Sequence, residues 1–375
     1  MKILIAGDYC PKDRLSSIYG SDFYINTINS IKSIVGSADY SIVNLECPIP
    51  NTPCKAIDKN GPCLKATFHA LDFIKQAGFS AVSLANNHFR DYGDIGVSDT
   101  IDSLDKEGIE HVGGGRDLEE AKRVLYKSFE SESIAIINCC ESEFSIASEN
   151  CGGSNPINAI QQWYSIKEAK EKSDYVIVIT HGGHEHYQLP SPRMQELYRF
   201  FIDAGADAVV NHHQHCYSGF EYYKGKPIVY GLGNFYFDWK GKRGLKWNEG
   251  YMVCLSFSKT QIDLKTIPYT QCDVQPVISL IDNRQSFDSR INELNLIISD
   301  PEKLKKCHED YMKSQIISMR LPLLPYSNKY LLAAANRGLL PRFLTKKKLL
   351  RLWDYVNCES HLDSFRYFVN NELLR

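Results

Sequence analysis

Short apolar runs alternate with helical segments through residues 1–270, and this alternation limits the folds open to the chain. The runs are rich in Val, Ile and Ala and are typical of buried strands; they are Lys2–Ala6, Tyr40–Leu45, Ala81–Leu84, Ser133–Asn138, Tyr175–Ile179 and Ala208–Val210. Helical spacing fills the intervals, at Tyr24–Ile34, Ala66–Gln76, Ile95–Glu107, Trp163–Glu171 and Met194–Ala204. The order predicts a layered α/β core, followed by an antiparallel pair at Tyr251–Ser256 and Gln261–Ile267.

Side chains that can bind metal follow several of these strands directly. They are a carboxylate, a second carboxylate, an amide and two imidazoles, at Asp8, Glu46, Asn87, His181 and His213. Ligands of open α/β sheets bind at the carboxyl ends of the strands, so we expect these side chains to converge. The mixture of oxygen and nitrogen donors suits Mn²⁺, Fe²⁺ or Zn²⁺, with Mg²⁺ as a further alternative. The sequence therefore predicts one or two divalent ions, with one carboxylate able to bridge a pair.

Histidines are concentrated in the last part of this region, where six of the eleven in the chain lie between His181 and His215. Imidazole is the commonest metal ligand among side chains, and a His-x-His pair at a strand end can direct two rings at one point. This spacing favours His213 with His215, although His212 remains an alternative ligand at this stage.

Composition excludes some classes of protein. The chain of 375 residues has 43% hydrophobic and 23% charged residues and a net charge of −2, which is typical of a globular protein and does not indicate nucleic-acid binding. Twelve scattered cysteines predict free thiols and a reducing compartment. No run has the length of a membrane span, and no signal peptide precedes the first strand, so we expect a cytoplasmic protein.

The motifs together resemble one known family. They are Gly7-Asp8, Asn44-Leu45-Glu46 with Pro48, Ala85-Asn86-Asn87-His88 with Asp91, His181-Gly182-Gly183, His212-His213-Gln214-His215, and Leu232-Gly233-Asn234-Phe235. In this order they resemble the CapA (PGA_cap) family of poly-γ-glutamate capsule synthesis proteins, a branch of the calcineurin-like metallophosphoesterase superfamily. The resemblance covers about residues 1–270. It implies a four-layer α-β-β-α sandwich of the metallophosphoesterase type.

The resemblance also implies roles for individual residues. Asp8 and His215 would hold a first metal ion, Glu46 would bridge, and Asn87, His181 and His213 would hold a second ion. His88 would be the catalytic residue, as the acid that protonates a leaving oxygen or as a donor to the phosphoryl group. The expected supporting residues are Asp91, Glu185, His212, Glu221, Asn234 and Asp238. The superfamily has histidine where this chain has Cys10, which is either a zinc-binding thiolate or a small buried cysteine.

The C-terminal part of the chain departs from this pattern. We expect a domain at residues 1–272 and a helical extension at residues 273–375, with helices at Asn283–Ile298, Pro301–Met319, Lys329–Leu340, Lys347–Asn357 and Leu362–Leu374. A basic run from Arg342 to Arg351 alternates with Leu and Trp. It is typical either of a helix that contacts an anionic membrane or the capsule-synthesis machinery, or of a packed helix with solvated lysines.

The resemblance, together with the expected metal site, implies a metal-dependent hydrolase, phosphoesterase-like, acting on a small-molecule or polymer substrate in bacterial capsule or surface-polymer synthesis. Two alternatives stay open. One is a non-catalytic accessory protein of capsular polymer synthesis, either poly-γ-glutamate or polysaccharide, and the other is a metal-dependent amide or peptide hydrolase. We expect a cytoplasmic location, peripheral to the inner face of the membrane if the basic helix binds lipid.

Overall fold

Strands between Lys2 and Leu280 form two large mixed β-sheets and a two-stranded one, and the computed structural model describes residues 1–325, 328–340 and 343–373. The strands, in chain order, are β1 (Lys2–Cys10), β2 (Tyr40–Leu45), β3 (Ala81–Ser83), β4 (Glu110–Val112), β5 (Gly114–Gly115), β6 (Leu125–Ser128), β7 (Ser133–Cys140), β8 (Gly153–Ser154), β9 (Tyr175–His181), β10 (Ala208–His212), β11 (Phe220–Tyr223), β12 (Lys226–Val229), β13 (Asn234–Phe237), β14 (Glu249–Phe257), β15 (Ile262–Gln271) and β16 (Ile278–Leu280). The first sheet has the order β16-β15-β14-β1-β2-β3-β4, and the second has the order β11-β12-β10-β9-β7-β6.

Eleven α-helices lie within the described residues. They are α1 (Asp22–Val35), α2 (His69–Ala77), α3 (Gly93–Glu107), α4 (Leu118–Ala121), α5 (Ala159–Lys172), α6 (Pro192–Ala204), α7 (Gln285–Ile298), α8 (Pro301–Arg320), α9 (Lys329–Asn336), α10 (Lys346–Asn357) and α11 (Glu359–Leu373). Helices α1 to α3 bury Ile31, Leu71 and Ile101 in one apolar cluster with the first sheet, and α5 and α6 contact the second. The predicted four-layer α/β arrangement is therefore confirmed.

The parallel strands bring their carboxyl ends to a common edge. Asp8 of β1 lies beside Asn44 of β2, and His181 of β9 lies beside His212 of β10. Strand β1 also changes partner along its length, because Lys2–Ile5 pair with β14 while Asp8–Cys10 pair with β13. Gly7 stands at this change, where an added Cβ would lie 1.9 Å from the carbonyl oxygen of Gly233. The close approach of the two backbones explains why glycine precedes Asp8.

The chain divides into two compact units, Met1–Lys305 and Lys306–Arg375. The sequence predicted an extension from residue 273, but β16 and α7 pack within the first unit. Strand β16 pairs with β15, and the side-chain oxygen of Asn295 in α7 accepts a hydrogen bond of 2.7 Å from the backbone of Phe220. The compact boundary thus lies downstream of the predicted one.

The second unit contains the C-terminal helices that the sequence predicted. Helices α10 and α11 pack on each other, and the rings of Tyr355 and Phe365 stack with centroids 5.5 Å apart. Arg342 and Leu374, which belong to the predicted basic run and the last predicted helix, lie outside the described residues. Within the described part of the chain, no helix has both the length and the apolar character needed to cross a membrane.

Candidate metal centre

The six residues proposed from the sequence as metal ligands are all buried. Each is at most 6% exposed to solvent; they are Asp8, Glu46, Asn87, His181, His213 and His215. They reach the same place from five strand ends and the loops that follow. Buried polar side chains in this number require partners, because each loses its hydration on folding.

Two groups of ligand atoms form within this cluster, and Glu46 belongs to both. One group contains Glu46, His181 and His213, and the other contains Asp8, Glu46 and His215; within each group the ligand atoms lie within 4.8 Å of one another. The arrangement is the one that a carboxylate bridging two cations requires. It corresponds to the ligand sets that the family resemblance implied.

The group around His181 is the more compact. His181 Nε2 lies 3.1 Å from Asn87 Oδ1, 3.1 Å from His213 Nδ1 and 3.4 Å from Glu46 Oε1. His181 Nε2 carries at most one proton, so it cannot donate to all three of these neighbours at once. A divalent cation would satisfy all four at once, so the donor set fits a metal ion.

Side-chain and backbone amide groups orient the residues of the group around His215. Asn234 Oδ1 lies 2.9 Å from His215 Nδ1, which leaves Nε2 directed towards Glu46 Oε1 at 3.8 Å. The Asn44 amide donates to Asp8 Oδ1 at 2.7 Å, and the backbone of His213 donates to Asp8 Oδ2 at 3.3 Å. These contacts fix the ring orientation and the carboxylate, as partners of metal ligands typically do.

Glu46 provides the strongest indication of a bound cation. Its side chain is fully buried, and neither carboxylate oxygen has a hydrogen-bond partner within the described residues. Burial, together with the negative charges of Asp8 and Glu185, raises the pKa of Glu46 well above its ordinary value. An ionised carboxylate without a donor is costly inside a protein, so this position calls for a positive charge.

Two imidazoles of the cluster, His181 and His215, favour the neutral form that binds metal. Burial, followed by the repulsion of neighbouring histidines, lowers the pKa of His181 well below its usual range, and burial has the same effect on the pKa of His215. Burial likewise raises the pKa of Asp8. His181 and His215 thus resist protonation, and a metal-ligating imidazole must be neutral.

Two of the histidines adopt backbone conformations that are rare for residues with a Cβ. The φ angle is 93° at His213 and 54° at His215, both in the left-handed region. The tight turn after β10 lets both rings of the His-x-His segment face the cluster. His212 points elsewhere, with Nε2 3.0 Å from the carbonyl oxygen of Ala6 and Nδ1 3.3 Å from that of Thr180. The geometry therefore places His213, not His212, among the ligand atoms.

His88 lies beside the cluster and is oriented by Asp91. His88 Nδ1 is 2.6 Å from Asp91 Oδ2, and Asp91 also accepts from the backbone of Leu64 at 2.6 Å. The ammonium group of Lys59 pairs with the other oxygen of Asp91 and lies 3.2 Å from His88 Nδ1. Since Asp91 engages Nδ1, the Nε2 atom of His88 is the one available to a substrate.

The other expected supporting residues divide into two sets. Asn234 contacts His215, and Asp91 contacts His88. Glu221 instead binds Arg199 and the hydroxyl of Tyr230, and Asp238 binds Arg14 and Arg243, so the structure does not bring these two carboxylates to the ligating histidines. Glu185 lies at the exposed rim, 3.8 Å from His186. Glu221 and Asp238 depart because arginine side chains pair with each of them.

Cys10 stands where the superfamily has a histidine, and its surroundings are those of a buried thiol. It is 0% exposed, and burial together with the neighbouring Cys47 raises the pKa of its thiol well above the ordinary value. The neutral thiol favours the packing interpretation over a zinc-binding thiolate.

Sequence reasoning assigned no role to three residues that the structure places at the site: Asn44, Lys59 and Glu143. Lys59 comes from the proline-rich loop before α2, where no spacing indicates its destination. Glu143 follows β7, and its carboxylate lies 3.8 Å from His213 Nε2 and 3.5 Å from the Asn87 amide nitrogen. The rule that selected the other ligands, a polar residue just past a strand, applies to Glu143 as well.

Comparison with known proteins agrees with the motifs. The model of the family described as "Bacterial capsule synthesis protein PGA_cap" matches residues 2–239. The chain belongs to this family. Every side chain of the cluster lies inside the matched region, so the PGA_cap match and the buried site describe the same part of the molecule.

Two relatives from Bacillus are similar over this region. The capsule biosynthesis protein CapA of Bacillus anthracis is 33% identical over 229 residues, which are 59% of this chain and 55% of the relative. The PGA biosynthesis protein CapA of Bacillus subtilis (strain 168) is 33% identical over 212 residues, 56% of each chain. The chain thus spans about half the length of the curated relatives it matches.

Among solved structures, the chain is similar to a phosphatase of Mycoplasma pneumoniae at 16% sequence identity. The alignment covers 73% of this chain and 95% of the phosphatase chain, with a TM-score of 0.46.

Proposed function

We propose that this PGA_cap protein is a metal-dependent hydrolase, phosphoesterase-like, that acts in the synthesis of a bacterial capsule or surface polymer. The observation that supports it most is Glu46, a buried carboxylate without a donor that belongs to two groups of ligand atoms. The family supplies the context of capsule synthesis. The substrate, in this proposal, is a small molecule or polymer that carries a hydrolysable phosphoester.

The residues divide between two cation positions. Asp8, Glu46 and His215 would hold one ion, and Glu46, Asn87, His181 and His213 would hold the other. Three imidazoles among the ligands favour Mn²⁺, Fe²⁺ or Zn²⁺ over Mg²⁺. When bound, such a pair lowers the pKa of a water molecule and stabilises negative charge on a phosphoryl oxygen.

His88 would carry the proton chemistry of the reaction. Asp91 engages Nδ1 and so holds the proton of the neutral ring there, which leaves Nε2 for a substrate. A protonated ring would donate from Nε2 to the leaving oxygen or to the phosphoryl group. Such a donor typically contributes about 10²–10⁴-fold to the rate.

The test uses the full chain loaded with Mn²⁺, Fe²⁺ or Zn²⁺ and an activated phosphodiester, bis-p-nitrophenyl phosphate. His88→Asn should keep the metal, measured by elemental analysis, and lose most turnover. His181→Ala should lose metal and the rise in melting temperature that metal binding brings.

Three results would count against the proposal. If the unmutated chain binds none of the three metals, the proposed metal site is wrong. Loss of metal in His88→Asn would place His88 among the ligands. A loaded protein inactive on phosphomonoesters and phosphodiesters would favour the amide hydrolase if glutamyl peptides are cleaved, and the accessory role if they are not.

We further propose that α10 brings the protein to an anionic membrane. Its apolar side chains are exposed, with Leu350 at 58% and Trp353 at 64%, and Lys346, Lys347, Lys348 and Arg351 are exposed on the same helix. Exposed apolar and basic groups together are typical of helices that lie in a membrane interface. The corresponding location is the inner face of the cytoplasmic membrane.

Sedimentation with liposomes tests this contact. Binding should increase with the fraction of anionic lipid and fall in Trp353→Ala, with the exposed Trp163→Ala as the control in the first unit. The proposal would be contradicted if liposome binding does not depend on the fraction of anionic lipid, or if Trp353→Ala binds liposomes as well as the unmutated chain.

A further inference from the structure

The loop after β7 is fixed against the metal centre at both ends. The backbone of Glu141 donates to the carbonyl oxygen of His181 at 3.0 Å. The hydroxyl of the buried Ser145 donates to the carbonyl oxygen of Asn87 at 2.7 Å, and the backbone of Arg90 donates to the same hydroxyl at 3.2 Å. The segment between these anchors carries Glu143, whose position beside the cluster is therefore set by the fold.

Glu143 contacts two of the proposed ligands at the atoms that face away from the cluster. Its Oε2 accepts from Asn87 Nδ2 at 3.5 Å, and its Oε1 lies 3.8 Å from His213 Nε2. The opposite atoms of the same two side chains, Asn87 Oδ1 and His213 Nδ1, are each 3.1 Å from His181 Nε2. One carboxylate thus spans the outer sides of two ligands of the same ion position.

The chemistry of these contacts fixes which atoms face the cluster. A carboxylate can only accept, so it favours the Asn87 amide with its nitrogen outward and its oxygen inward. It also attracts the Nε2 proton of His213, which leaves the Nδ1 lone pair for a cation and makes it a better donor. On the other side of Glu46, Asn234 Oδ1 accepts from His215 Nδ1 and so leaves the Nε2 lone pair of His215 for a cation.

We propose that Glu143 is a positioning residue for the ion held by Asn87, His181 and His213, and that it orients no ligand at the position formed by Asp8 and His215. The inference rests on the proposed metal site. It assigns Glu143 no contact with the reacting atoms. It predicts that the two ion positions respond differently to one substitution outside the ligand set.

The experiment titrates Mn²⁺ into the metal-free full chain by calorimetry, with electron paramagnetic resonance reporting whether the ions occupy adjacent positions. Glu143→Ala should weaken one of the two binding events about 10–100-fold, the effect typical of removing the partner of a metal ligand. The other event should be nearly unchanged. Glu143→Gln, which keeps an acceptor oxygen but loses the charge, should show an intermediate loss.

Glu185→Gln is the matched control, because Glu185 is also an exposed acid whose charge acts on Glu46 but has no contact with Asn87 or His213 among those the structure describes. Glu185→Gln should weaken both binding events, by similar and smaller factors. His181→Ala and His215→Ala identify which binding event belongs to which ion position.

A Glu143→Ala chain whose two affinities match those of Glu185→Gln would overturn the inference but would not contradict the metal site. Absence of Mn²⁺ and Zn²⁺ binding in the unmutated chain would instead overturn the proposed function. Melting temperatures of the metal-free variants, expected to be unchanged, establish that the Glu143→Ala chain is folded.

Discussion

At the scale of single residues, Glu46 links metal binding to pH. Because burial and nearby negative charge raise its pKa well above 4.5, the folded metal-free chain keeps a proton on this carboxyl above the pH at which the unfolded chain loses it. A cation must displace that proton. Metal affinity should therefore fall as the pH decreases through the raised pKa of Glu46, and binding should release protons in that range.

Calorimetry in buffers of different ionisation enthalpy measures the number of protons that metal binding releases. The apparent binding enthalpy of the unmutated chain should vary with the buffer, and the variation should increase as the pH is lowered from about 8 towards 5. His88→Asn should show the same release, since His88 is not a proposed ligand. A binding enthalpy that is independent of buffer across this range would contradict the raised pKa.

Lys59 gives a second prediction at this scale, on stability. Its side chain is 3% exposed and pairs with Asp91, which is 0% exposed. Lys59→Met leaves the buried Asp91 carboxylate with His88 and one backbone donor, so we expect the free energy of unfolding to fall by about 3 kcal/mol. The exposed pair of Lys75 and Glu107 is the control, and Lys75→Met should cost less than about 1 kcal/mol in the same urea titration. Equal losses in the two variants would contradict the buried pairing.

At the scale of elements, the strand ends were predictable from the sequence and the loops were not. Apolar runs identified β1, β2, β9 and β10, and parallel strands necessarily bring their carboxyl ends to one edge, so Asp8, Glu46 and His181 followed. Strand β13 was missed because Asn234–Phe237 has only four residues and no alternation. Lys59 reaches the site through the long loop before α2, and a loop's path depends on contacts that local spacing does not encode.

The junction of β1 with β13 allows a test of this architecture. Gly7→Ala places a Cβ against the backbone of Gly233, so the two strands must separate next to Asp8. We expect a loss of about 1–3 kcal/mol in stability and weaker metal binding. Gly241→Ala is the control, since its Cβ would meet nothing within 4 Å. Thermal melting with and without Mn²⁺ measures both effects, and a Gly7→Ala chain with unchanged metal affinity would contradict the proposed dependence.

At the scale of the whole molecule, the site lies entirely in the first compact unit. A chain ending at Lys305 should keep the metal affinity of the full protein, because every proposed ligand and its partners precede that residue. A chain ending at Cys272 lacks β16 and α7, which pack in the same unit, and should unfold at a lower temperature. Melting curves and Mn²⁺ titrations of the two truncations give the comparison. Equal stability of the two would support the boundary predicted from the sequence, near residue 272, over the one at Lys305.

The left-handed backbone at His213 and His215 has a consequence for how such a protein can change. A residue with a Cβ in this region carries about 1–3 kcal/mol of strain, which glycine would relieve. Glycine at either position would therefore make the empty fold more stable while deleting a ligand. The strained backbone lowers the stability of the metal-free chain, and binding of the proposed cation would offset that loss. Stability and function are opposed at these two positions, so selection for a more robust fold alone would remove the histidines first.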